Sequence, residues 1–157
     1  MSCARIFRVW FSCMAGLFSM AGAAYAQGVE TFTNFSYTGA SETNGYFIGQ
    51  DGSNWYFYRC QGSKPIIAPT PGLDRGTPIA YIESGLIAGG CGTLSFDWMQ
   101  MFNPTVSVDV VINGTIRHTL TVTNGVQNLV TNSGPLAINQ SGSFTLRFQQ
   151  HSSQSRQ

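Results

Sequence analysis

The chain has 157 residues, of which 43% are hydrophobic, 13% aromatic and only 10% charged, with 8 basic and 7 acidic side chains. A net charge of +1 without a basic cluster gives no electrostatic surface for nucleic acid, so we expect no nucleic-acid partner. The apolar content excludes a disordered chain, and a chain of this size can build one core.

The first element is a secretory signal peptide, predicted over residues 1–26. Arg5 and Arg8 precede an uncharged stretch that starts at Val9 and ends on small residues, and we expect cleavage after Ala26. A membrane anchor is the alternative, but Ser, Gly and Ala dilute the apolar stretch. Cleavage would leave six basic and seven acidic residues in a secreted protein that has no membrane-spanning segment of its own.

Short strands follow, because Gly, Asn, Ser and Thr interrupt the chain every 8 to 12 residues or so and no apolar pattern has a helical period. The predicted fold class is all-β, a two-sheet antiparallel β-sandwich over residues 27–149, followed by a polar tail over 150–157 or by a truncated final strand. The predicted strands are 30–37, 45–49, 54–59, 78–84, 92–100, 105–112, 115–122, 126–131 and 143–149.

The third predicted strand carries rings on both faces, in the order Trp55, Tyr56, Phe57 and Tyr58. If only one face of the strand is buried, one of two pairs points outward, either Trp55 with Phe57 or Tyr56 with Tyr58. Exposed rings suit sugar stacking because they offer flat apolar area with a polar rim. We therefore take Trp55, Tyr56 and Tyr58 as candidate ligand-binding residues. The alternative is that loops cover both faces.

Two cysteines, Cys60 and Cys91, remain after the predicted cleavage. In an oxidising compartment they are expected to form a disulfide, which would stabilise the fold by roughly 3–4 kcal/mol. Two separate buried thiols are the alternative. Their spacing fits no zinc pattern, and we expect no metal site.

The clearest hairpin turns at Asn113 and Gly114, between two alternating apolar runs. A three-residue turn with Gly114 at the left-handed position would place Val110 opposite Ile116. It would also place Asp109 opposite Arg117 as a cross-strand ion pair.

No catalytic motif stands out, so we expect no enzyme activity and no cofactor. His118 lies in the apolar phase of its strand and His151 in the polar tail. No nucleophile elbow, zinc-protease motif or phosphate loop is present in the sequence. The run from Asp51 to Asn54 has the composition of a calcium loop but lacks its later acidic ligands, and a hairpin turn explains it better.

Several segments resemble a jelly-roll-like β-sandwich module of secreted bacterial proteins. They are ETF at residues 30–32, GYFIGQDGSNW at 45–55, GGCGTLSFD at 89–97 and VDVVINGT at 108–115. Such modules accompany extracellular endonucleases, lamin-tail domains and sorting domains. The resemblance implies a non-catalytic accessory or surface module, and it carries over no catalytic residues. Cys91 stands where that family usually has an aliphatic residue.

The expectation for function is a secreted, non-catalytic module that binds carbohydrate or another cell-surface component. One alternative is an accessory domain of a secreted nuclease or other hydrolase, whose catalytic part lies beyond this chain. A second alternative is a structural surface subunit.

Overall fold

A computed structural model describes residues 9–12, 28–63, 66, 70–101, 105–122 and 127–151. Of the predicted signal peptide, it describes only residues 9–12. The described residues form thirteen strands whose pairings are all antiparallel, which confirms the predicted all-β class. The strands are β1 Val9–Ser12, β2 Val29–Glu30, β3 Thr43–Ile48, β4 Asn54–Gln61, β5 Gly72–Leu73, β6 Tyr81–Ser84, β7 Cys91–Ser95, β8 Asp97–Met99, β9 Val106–Ile112, β10 Thr115–Val122, β11 Val130–Asn132, β12 Leu136–Gln140 and β13 Leu146–Gln150.

The strands are arranged in two large sheets and a small one. The first sheet has the order β12-β7-β1-β2, and the second has the order β10-β9-β13-β6-β4-β3, with β5 beside β4. Strands β8 and β11 form a separate pair. No helix in the described part of the chain is long and apolar enough to cross a membrane.

One apolar core joins the two large sheets, an arrangement consistent with a β-sandwich. Strands of the second sheet alternate, so that Trp55 and Phe57 of β4 and Phe148 of β13 are buried while their neighbours are not. The first sheet contributes Leu94 and Ile138, which are 0% and 5% exposed.

Several predicted strands are shorter than expected, and those predicted over 30–37 and 92–100 differ most. The segment predicted as a strand over 30–37 leaves the sheet after Glu30, because Phe32 adopts a left-handed φ of 57° and its carbonyl accepts the N–H of Phe35 at 2.9 Å. This turn buries both rings. The strand predicted over 92–100 breaks at Phe96, and strand β12 was not predicted.

The β9–β10 hairpin turns at Asn113 and Gly114, whose φ values of 50° and 75° are typical of a two-residue type I′ turn. The register then shifts between Ile116 and His118, which makes Arg117 the extra residue of a β-bulge. The bulge turns Ile116 outward, where it is 52% exposed.

The predicted register of this hairpin, with Val110 opposite Ile116 and Asp109 opposite Arg117, is therefore wrong. Asp109 lies opposite Thr119, whose hydroxyl donates to the carboxylate at 2.7 Å. The turn residues fix the start of the pairing, but the bulge beyond them shifts the rest of it by one residue. No cross-strand ion pair joins Asp109 to Arg117 in the described hairpin.

The structure does not show the predicted disulfide. Cys60 and Cys91 are both buried, on β4 of the second sheet and β7 of the first. The Cys60 thiol is directed along its own sheet and donates to the carbonyls of Tyr58 and Tyr81 at 3.6 and 3.5 Å. Burial raises the pKa of the Cys60 thiol to about 12, so it stays protonated.

The predicted polar tail begins too early. Gln150 is the last residue of β13, is 5% exposed and donates its backbone N–H to the carbonyl of Ala80. His151 also belongs to the fold, because its N–H donates to the carbonyl of Ser107 and its ring contacts Asp109. The remaining tail residues, 152–157, lie outside the described part of the chain.

Candidate ligand-binding face

The outer face of the second sheet is where the predicted ligand-binding residues are found, with one exception. Tyr56 and Tyr58 point away from the core and are half-buried. Trp55 is 1% exposed and packs in the core between Phe32 and Phe47. Its assignment as a ligand-binding residue is corrected, since a ring on the inner face of the sheet cannot stack on a surface ligand.

Four tyrosines from three adjacent strands form a continuous aromatic surface, which we call the tyrosine face: Tyr46 of β3, Tyr56 and Tyr58 of β4, and Tyr81 of β6. Tyr46 lies directly opposite Tyr56, and Tyr58 lies directly opposite Tyr81. Ring centroids are 4.7 Å apart for Tyr46 and Tyr56, 5.8 Å for Tyr56 and Tyr81, and 5.5 Å for Tyr58 and Tyr81. These rings are tilted by 31–57° and fall within the usual range for aromatic pairs.

An arginine continues the tyrosine face onto β13. The Arg147 guanidinium carbon lies 4.3 Å from the centroid of the Tyr81 ring, and its Nη2 donates to Glu83 Oε2 at 2.8 Å. Its Nε is buried and has no hydrogen-bond partner. Burial raises the pKa of the Tyr81 hydroxyl, although the nearby arginine charge acts in the opposite direction. The hydroxyl therefore stays protonated and can donate.

A polar cluster borders the tyrosine face, because Gln149 lies opposite Tyr81 on one side and opposite Asp109 on the other. Asp109 is 1% exposed, and it accepts from Thr119 and more weakly from Gln149, while its Oδ1 lies 2.8 Å from the Nδ1 of His151. Burial by itself would raise the pKa of the Asp109 carboxyl, but these hydrogen bonds together lower it. The carboxylate is thus held ionised and fixed in place.

A second ionic cluster stabilises the far end of β4. Arg59 has a left-handed φ of 53° and pairs with Glu42 and Asp74, each at 2.6 Å. Its backbone N–H donates to Asn44 Oδ1 at 2.8 Å. Hydrogen bonding to Glu42 raises the pKa of the guanidinium, and burial raises the pKa of Asp74. The cluster fixes the strand next to Tyr58.

A buried acid lies apart from the tyrosine face, beside a cavity of about 380 Å³. The Glu30 carboxylate accepts the N–H groups of Phe32 at 2.5 Å and Gln50 at 2.8 Å. Burial raises the pKa of this carboxyl, against the effect of those bonds. Because both of its oxygens already accept backbone hydrogen bonds, we assign this acid to holding the turn after β2.

Sequence reasoning missed two members of the tyrosine face, Tyr46 and Tyr81, and the adjoining Arg147. Each of them follows or precedes a buried residue of its strand, so strand alternation alone indicated that they face outward. The missing information was the strand order, which places β3, β6 and β13 beside β4.

The described residues offer no metal-binding group, and comparison with known proteins gives no relative from which a function could be inferred. Among the described residues, no group of three or more His, Cys, Asp and Glu side chains could hold a metal ion. No protein-family model, curated protein or solved structure matches this chain.

Proposed function

We propose that this chain is a secreted, non-catalytic module that binds carbohydrate through the tyrosine face. The observation that supports this most is the exposure of Tyr46, which is 68% although it packs on Tyr56. Because Tyr46 lies on the edge strand β3, its ring is open to solvent and accessible to a ligand.

The chemistry of the tyrosine face suits a sugar chain. Aromatic rings provide apolar area for the C–H faces of a pyranose, and their hydroxyls can donate to and accept from sugar hydroxyls. The Glu83–Arg147 pair and Gln149 add further donors and acceptors at the border of the rings. Neighbouring strands lie about 4.8 Å apart, so the three strands present a surface long enough for a short oligosaccharide.

The proposal also includes export of the chain and its similarity to a jelly-roll-like accessory module. The basic start and apolar stretch of residues 1–26 support export, and the segment resemblance supports a jelly-roll-like accessory module. The module then anchors its parent protein to a glycan or another cell-surface component. Attachment to a secreted nuclease or other hydrolase is compatible with this role.

Affinity electrophoresis through gels that contain soluble polysaccharides tests the proposal. We expect retardation by at least one polysaccharide, and Tyr46→Ala or Tyr56→Ala should weaken it by about fivefold each, the equivalent of about 1 kcal/mol per aromatic contact. Leu86→Ala is the matched control, because Leu86 is an exposed apolar side chain (71%) outside the tyrosine face. Failure of every polysaccharide to retard the wild-type protein would contradict the proposal, and so would equal retardation of the tyrosine and leucine variants.

A further inference from the structure

Strand β1 fills a gap inside the first sheet, between β7 and β2. It pairs antiparallel with β7 through Trp10–Ser95, Phe11–Leu94 and Ser12–Thr93, and with β2 through Val9–Glu30 and Trp10–Val29. We call this gap the strand slot and define it by its two walls, residues 93–95 of β7 and residues 29–30 of β2.

The walls of the strand slot belong to the interior of the fold. Leu94 is 0% exposed and Glu30 is 3% exposed. Strand β7 is already paired with β12 on its other side, and in the described sheet β2 is connected to β7 through β1 alone. An empty slot would therefore leave backbone N–H and C=O groups of both walls without partners, beside a buried core.

The strand that fills the slot lies within the segment that the sequence predicts to be removed. Cleavage after Ala26 takes away Val9–Ser12, and the two walls then need either a new strand or a rearrangement. We propose that processing converts the strand slot into an acceptor for an extended segment of a partner chain, which enters antiparallel to β7. This inference rests on the cleavage that is part of the proposed function, but not on carbohydrate binding.

The strand seen in the slot shows what kind of segment it accepts. Val9–Ser12 is uncharged, lacks proline and places a large apolar residue at the position paired with Leu94. An added strand gains affinity from main-chain hydrogen bonds on both sides, and its apolar residues add specificity. The partner is thus a protein with an exposed, uncharged, apolar segment of at least four residues in extended form.

Cleavage of the full chain in place tests the inference directly. A site-specific protease sequence is inserted after Ala26, the folded protein is cut, and size exclusion shows whether the N-terminal fragment stays bound. A fluorescein-labelled peptide of residues 7–12, flanked by lysines for solubility, is then added. The control peptide carries Trp10→Pro, which removes a backbone N–H and breaks strand pairing.

We expect the cut fragment to remain associated and the labelled peptide to replace it, with the proline peptide binding at least tenfold more weakly. The uncut chain should not bind the peptide, because its slot is filled. If the fragment leaves and the remainder unfolds or self-associates, rescue by the wild-type peptide and not by the proline peptide also supports the proposal.

Two results would overturn the inference. One is a cut fragment that separates from a remainder that stays monomeric with an unchanged melting temperature, since β7 and β2 would then close without a strand. The other is a remainder that neither peptide binds or rescues. Polysaccharide retardation, measured on the same cut samples, reports the tyrosine face on the other sheet, so failure of the slot and failure of carbohydrate binding are distinguishable.

Discussion

Replacing Asp109 with asparagine tests the buried polar cluster beside the tyrosine face. The carboxylate is 1% exposed and accepts from Thr119 at 2.7 Å and Gln149 at 3.3 Å, with His151 Nδ1 at 2.8 Å. Asparagine has the same size, but its NH₂ group cannot accept a hydrogen bond and it carries no charge. Loss of at least one hydrogen bond to a charged group predicts that Asp109→Asn lowers the free energy of unfolding by about 1.5–3 kcal/mol.

The pH dependence of this difference has a defined sign. Hydrogen bonds lower the pKa of Asp109 below its ordinary value of 3.8, so the folded protein releases this proton more readily than the unfolded chain. The contribution is fully present above the unfolded pKa and is lost as the pH falls through the folded pKa. The wild-type advantage over Asp109→Asn should therefore be complete at about pH 6 and shrink steadily below about pH 4.

Urea unfolding followed by tryptophan fluorescence measures both effects. Asp97→Asn is the control, because Asp97 accepts a hydrogen bond from Asn132 at an exposed position, where the loss should stay below about 1 kcal/mol. Unfolding of Asp109→Asn at the same urea concentration as the wild type near neutral pH would contradict a stabilising role for the carboxylate. A difference between the two proteins that widens in acid would refute the assigned sign.

Two further outcomes check the corrected contacts. When the native protein is treated with iodoacetamide at about pH 8, Cys60 should stay unmodified, because burial raises the pKa of its thiol to about 12. The urea-unfolded protein should react fully. A mass that shows an oxidised cysteine pair would contradict this expectation. Arg117→Ala should change the free energy of unfolding by less than about 0.5 kcal/mol, since Arg117 is exposed at the bulge and does not face Asp109. A loss of stability above about 1 kcal/mol would instead indicate that Arg117 and Asp109 form an ion pair.

The features that could be predicted from the sequence are those that depend on one strand at a time. Alternation correctly separated Trp55 and Phe57 from Tyr56 and Tyr58, because a half-buried strand sends successive side chains to opposite faces. It did not say which pair is buried. That choice depends on residues far away or on other strands, since Trp55 packs against Phe32 and Phe47.

Interactions between distant segments account for the errors. A bulge at Arg117 changes the pairing of the whole hairpin, yet it adds no special residue to the sequence. Gln150 and His151 look like a polar tail because their partners, Ala80, Ser107 and Asp109, lie far away in the chain. Two cysteines in a predicted secreted chain favour a disulfide by compartment alone, and the sequence does not show that they lie on strands of two different sheets.

The two large sheets therefore depend differently on the N-terminal strand Val9–Ser12. The second sheet runs from β10 to β3 through strands that all follow Ala26, so its tyrosine face is complete without β1. The first sheet loses the connection between β7 and β2 when Val9–Ser12 is removed. The proposed cleavage would consequently leave the geometry of the proposed carbohydrate face unchanged, while it would open the proposed strand slot on the opposite sheet. The two proposed sites would then lie on different sheets, so each can be tested without disturbing the other.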